Sequence, residues 1–171
     1  MKRFLLLITY IIISTTYCYS NSSIKLPDLR QRFEEAAFKQ NICSQLITDL
    51  EKIYTTNQIY KGYLGVTKIM MANHQDNIFT KWKYFRDGKK LLEESIAKEP
   101  NNIELRFLRL GIQLNVPSYI GYKSHIIIDK QFIVDSYKKI HDDHLKITIQ
   151  RVLKEDKIMT QNDLRAIGVI K

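Results

Sequence analysis

Residues 99–122, EPNNIELRFLRLGIQLNVPSYIGY, constrain the fold more than any other stretch of the chain. Pro100 stops whatever precedes it, Asn101 and Asn102 supply a turn and a cap, and Pro117 bars continuation. The stretch therefore predicts a helix over 103–115. At about 100° per residue, Ile103, Phe107, Leu110 and Leu114 share one apolar arc, while Leu105, Leu108 and Ile112 form a second arc roughly opposite. A helix with two apolar faces is packed from two sides, which is the place of an inner helix in a stack. Arg106, Arg109 and Gln113 lie along one narrow polar edge between the arcs. Glu104 and Gly111 lie along the other.

Charges on such an edge must reach water, a carboxylate or a ligand. Beside simple exposure to water, two readings follow. In one, an acid from another helix (Asp129 or Asp87) pairs with the arginines and joins helices. Glu104 is set aside as their partner because it points to the opposite edge. In the other, Arg106, Arg109 and Gln113 bind an anion or a partner, with Tyr60, Tyr63, Tyr119 and Tyr122 lining a groove beside them, since Tyr and Arg are enriched at recognition surfaces. Arg109, nearer the edge of the second arc, is expected to have the freer route to water.

Periodicity elsewhere also reads as helix. Asp28 can cap a helix that turns Leu29, Phe33, Ala36 and Ala37 inward, and Asn41 can cap one carrying Ile42, Leu46, Leu50 and Ile53. A third helix spans about 58–73 and a fourth about 78–98. Gly62 and Gly65 sit in the third, where glycine weakens a helix, and predict close approach of a neighbour. Helices follow over about 124–140 and 142–154, and Thr160 with Asp163 is spaced like a capping box in which Asp replaces the usual Glu or Gln. HIIID, residues 125–129, is the one run that could be extended. Six glycines and three prolines are too few for the many turns of a sandwich or barrel. The expected fold class is all-α: an antiparallel helix-hairpin stack forming a single domain over 21–171.

Residues 1–20 read as a signal peptide. Lys2 and Arg3 precede an apolar run of ten residues from Phe4 to Ile13, too short to span a bilayer comfortably, and a polar stretch follows. Cleavage near Ser20 is expected, leaving Asn21 as the mature N-terminus. The alternatives are lipidation at Cys18, disfavoured by the bulk of Tyr17, and retention of the segment as an uncleaved anchor. Loss of Lys2 and Arg3 lowers the formal charge from +9 to +7. Export combined with that charge turns the expected partner away from nucleic acid and toward an envelope protein or peptide, polysaccharide or anionic lipid. Cys43 then stands alone, so the fold relies on its core and not on disulfides.

The best metal-like cluster is HDDH, in which His141 and His144 could ligate with help from Asp142 or Asp143 and from a distant His74 or His125. The competing reading makes Asp142 and Asp143 helix caps. HExxH, CxxC, GxSxG and glycine-rich phosphate loops are missing from the sequence, and no cofactor is implied.

Two resemblances add to this. Residues 78–115 form a helix, a Pro–Asn turn and a helix, with Gly88, Leu92 and Ser95 where a tetratricopeptide repeat carries small, large and small residues. This resembles a degenerate repeat of that family. The usual Trp, Leu-Gly and Tyr are out of register. In addition, GYLGVTKIMMA, FRDGKKLLEESIAKEPNNIELRFLRLGIQLNVPSYIGY and DKQFI look like an uncharacterised family of small exported bacterial proteins. That resemblance implies an exported helical protein and brings no activity, cofactor or site. The functional expectation is a noncatalytic protein-interaction module of the cell envelope. The alternatives are a metal-binding protein or metal-dependent enzyme using His141 and His144, and a basic binder of anionic envelope surfaces.

Overall fold

The computed structural model describes residues 24–53, 56–154 and 156–170, so the leader, Cys18 and the expected cleavage point lie outside the described residues. Within them the protein is all-helical. The α-helices are α1 (Leu26–Ala36), α2 (Gln40–Ile53), α3 (Gln58–Asn73), α4 (Ile78–Lys98), α5 (Ile103–Asn115), α6 (Ile126–Ser136), α7 (Asp143–Leu153) and α8 (Gln161–Ala166). Short 3-10 turns lie at Ser118–Ile120 and Tyr137–Lys139.

Capping chemistry sets most of the starts. Asn57, Asn77, Asn102 and Asp142 each accept a backbone N–H of the first turn through the side chain, satisfying donors that have no partner inside the helix. Thr160 and Asp163 close the full reciprocal capping box despite the shorter acid. Two expected caps differ. Asp28 lies inside the first turn of α1, because Pro27 is accommodated at the very start of the helix, where its missing N–H has no cost. Asn41 lies inside α2, which begins one residue earlier. HIIID turns into the first turn of α6.

Neighbouring helices pack in sequence order: α1 on α2, α2 on α3, α3 on α4. α5 then sits against both α3 and α4, and α6 against α5. The tightest crossing joins α3 and α4 at Gly65 and Gly88. A Cβ built on Gly65 would lie 2.7 Å from the Gly88 carbonyl oxygen, so the two backbones touch. One core gathers α1–α5 around Leu46, Leu50, Leu64, Leu92 and Leu105. A second gathers α5–α8 around Leu110, Ile133, Ile149 and Leu153. α5 is the wall common to both, as its two apolar arcs require. Cys43 is fully buried, and burial pushes its thiol up to about 11. No helix among the described residues is long and apolar enough to cross a membrane.

Candidate functional site

Each polar edge of α5 carries a buried ion cluster. On the first, Arg109 donates from Nε to Asp129 Oδ2 at 2.7 Å and from Nη2 to Oδ1 at 2.8 Å, while its Nη1 donates to Glu93 at 2.8 Å. Arg106 adds Nη1 to Asp129 Oδ1 at 2.7 Å and lays its guanidinium 5.0 Å from the Phe132 ring centre. Asp129 is fully buried. Burial works against the Arg109 charge, but the Asp129 and Glu93 carboxylates outweigh it and hold its pKa above the usual value. The Tyr122 hydroxyl donates to the other Glu93 oxygen. Burial, then the Glu93 carboxylate, pushes that phenol well above its usual range.

This is the salt-bridged arrangement, with Asp129 as the acid. Asp87 instead faces its neighbour Arg86. The expected order of exposure is reversed: Arg109 is buried and Arg106 is the partly exposed one. Glu93 from α4 and Asp129 from α6 close over Arg109 from two sides, leaving the rim to Arg106. Gln113 is fully buried and accepts the backbone N–H of His125 through Oε1.

The opposite edge holds a second cluster. Arg30 of α1 donates from Nε and Nη2 to Glu104 at 2.7 and 2.9 Å, and from Nη2 to Asp142 at 2.8 Å. The Tyr63 hydroxyl also donates to Glu104, at 2.7 Å. Hydrogen bonding from Arg30 keeps the Asp142 carboxyl below its usual value. Asp142 therefore both caps α7 and ties it to α1, and this second attachment commits one of the two acids of HDDH. His141 and His144 are exposed. His74 is held by the Ala36 carbonyl at 3.0 Å, and His125 lies beside Ser124. Among the described residues no three His, Cys, Asp or Glu side chains gather to hold a metal.

The open feature is elsewhere. A groove of about 640 Å³ runs between α1, α3, α4, α5 and α7. Phe33, Phe85, Phe107 and Ile112 form apolar walls, and Trp82 of α4 and Val152 of α7 also line it. Its mouth is hydrophobic and wet: Phe38 and Tyr119 are each 87% exposed and Trp82 is 52% exposed. Of the expected site residues only Tyr119, with Tyr63, lines this groove. Tyr122 is buried against Glu93, Tyr60 bonds the Ile24 carbonyl, and the Arg106–Arg109 edge is spent on Asp129.

Phe38, Trp82, Ile112 and Gly111 were not singled out by the sequence pattern as a recognition surface. Phe38, in the turn after α1, and Trp82, off the inward stripe of α4, were the available signal. Comparison with known protein families, with curated proteins and with solved structures finds no match to this chain.

Proposed function

We propose that the protein is a noncatalytic interaction module whose apolar groove takes a protein or peptide partner. The observation that carries this reading is the groove's mouth. Monomeric surfaces seldom present several large exposed apolar side chains around one concavity, and where they do the patch is usually an interaction site. Aromatic anchors around a pocket are the commonest energetic centre of such sites. The arginine edge then serves the fold, and the groove serves the partner.

The reading includes a tetratricopeptide-like stack of antiparallel hairpins and export behind a leader cleaved near Ser20. Its support is the helix–turn–helix pattern of 78–115 and the leader-like sequence of 1–20. An envelope protein or peptide is the corresponding partner.

Site-specific photo-crosslinking in cells tests it. A photoreactive residue at Phe38 or Tyr119 should give one discrete adduct of the same partner mass. The same residue at Ile127, exposed on α6 and away from the groove, should not. Equal adducts from all three positions would remove the groove from consideration.

A further inference from the structure

We infer that the groove's occupant is an amphipathic helix bearing acidic residues, crossing α5 at Gly111. The inference rests on the groove reading above and goes beyond it in naming the partner's shape and charge.

The first observation is Gly111. It sits in the interior of α5, where glycine weakens a helix by about 1 kcal/mol relative to alanine. At Gly65 and Gly88 the same weakness comes with a packed crossing, because two helix backbones touch there. Gly111 lines the groove, and a Cβ built on it would meet nothing within 4 Å. The fold itself therefore makes no use of the missing side chain. What the absence leaves is a bare stretch of helix backbone on the groove wall, the same surface that α3 and α4 offer each other.

The second observation selects a helix over an extended peptide. The groove walls are side chains of helices whose backbone groups are already paired, so they offer no strand edge for an incoming chain. An extended segment would press its own N–H and C=O groups against Phe33, Phe85, Phe107 and Ile112 without partners. A helix satisfies those groups internally and presents only side chains.

The third is charge. Three charged residues line the groove: Arg30, Glu34 and Lys81. Arg30 is engaged by Glu104 and Asp142, and Glu34 by Arg151. Lys81 has no carboxylate within salt-bridge distance among the described residues. Exposed Lys39 directly follows the groove residue Phe38, whereas Lys83 and Lys154 stand roughly 140–150° round their helices from the groove-lining residues and face away. Glu35 and exposed Asp76 balance Lys39 nearby, so the one lining charge without an ion-pair partner among the described residues is the cation of Lys81. A helix with an acid beside its apolar stripe complements that cation.

Trp82 is the chain's one tryptophan and lines the groove, so its fluorescence reports occupancy directly. The probe is a synthetic amphipathic helix of about 18 residues, long enough to hold helix in water, with leucines at i, i+3, i+4 and i+7 and glutamates beside them. It is compared with a version in which lysine replaces glutamate, a scrambled version, a proline-interrupted version and palmitate. The acidic helix should shift Trp82 emission to the blue and bind at least about fivefold tighter than the lysine version at low salt. That gap should narrow as salt rises. Lys81→Glu should reverse the preference, and Gly111→Leu, which keeps the helix and fills the groove, should abolish binding. Equal binding of the scrambled or proline-interrupted peptide, or binding of palmitate alone, overturns the inference. So does binding of the acidic helix that Gly111→Leu leaves unchanged. If the crosslinks from Phe38 and Tyr119 form while the acidic helix shows no preference, this inference fails and the groove reading stands. If neither is seen, both fail.

Discussion

Arg109 and Asp129 bury one another, two parallel hydrogen bonds joining the inner helix α5 to α6 with both side chains almost wholly removed from water. The geometry is the bidentate fork that suits arginine and not lysine. Removal of one partner strands the other, and this matters more than the net worth of the pair. Arg109→Ala should therefore destabilise by about 3–5 kcal/mol. Arg106→Ala should cost about 1–2 kcal/mol, because Asp129 keeps its bidentate partner. Urea denaturation of the two variants measures the order, and a larger loss for Arg106→Ala would contradict it.

The contact of Gly65 with Gly88 leads to a second expectation. A Cβ at either position meets backbone, which cannot swing aside as a side chain can. Gly65→Ala and Gly88→Ala should each destabilise by about 1–3 kcal/mol, as overpacking does, although alanine is the better helix former. Thermal melts followed by circular dichroism read this out. Unchanged midpoints would mean that the α3–α4 crossing is looser than described.

Tyr63 and Tyr122 give an alkaline signature. Burial, and then the adjacent Glu104 or Glu93, raises both phenols above their usual value. The folded state keeps its proton where the unfolded state has lost it. Stability is therefore untouched below about pH 10 and declines as pH rises beyond that. Absorbance titration should show these two tyrosines ionising only as the protein unfolds. In Tyr122→Phe and Tyr63→Phe the delayed fraction should shrink accordingly.

At the acid end, Asp163 ties the last helix down. It accepts from Lys130 at 2.7 Å and from the Thr160 backbone at 2.9 Å. Burial alone would raise its pKa, but the Lys130 hydrogen bond and the Thr160 contacts prevail and hold the carboxyl low. Its contribution is present above the ordinary carboxylate pKa of about 4 and is lost as pH falls through the lowered folded value. Asp163→Asn should release α8 at neutral pH, seen as faster hydrogen exchange of 161–166, and the difference from the parent should vanish in acid. A difference that persists undiminished at low pH would separate the docking of α8 from this carboxylate.

The limits of α3, α4 and α5 were legible because each is bounded by local chemistry: asparagines before the helix, and the polar turn 73–77, Pro100 and Pro117 respectively after it. The inner position of α5 was legible from its two apolar arcs, and the need for an acid opposite the arginines followed from their place between those arcs. Asp129 lies only 20 residues from Arg109 and was a nameable candidate. Glu104 was placed correctly on the opposite edge, yet its partner Arg30 lies 74 residues away on α1, and nothing local links them. The relative burial of Arg106 and Arg109 depended on Glu93 and Asp129 closing from different helices, which periodicity along α5 does not contain. The groove was illegible for the same reason. Phe38, Trp82, Ile112 and Val152 come from four separate parts of the chain, and each alone is an ordinary apolar residue.

The most direct measurement is a paired one on Gly111→Leu: the thermal midpoint of the free protein, and the yield of the in-cell adduct from a photoreactive residue at Phe38. If the glycine is there for a partner, the added side chain enters open space in a helix that prefers it, so the midpoint holds or rises by a few degrees, as about 1 kcal/mol of restored helix propensity implies. The adduct should disappear at the same time. A lowered midpoint with the adduct retained would show that Gly111 serves the fold itself, and would contradict the account of the groove as the binding site.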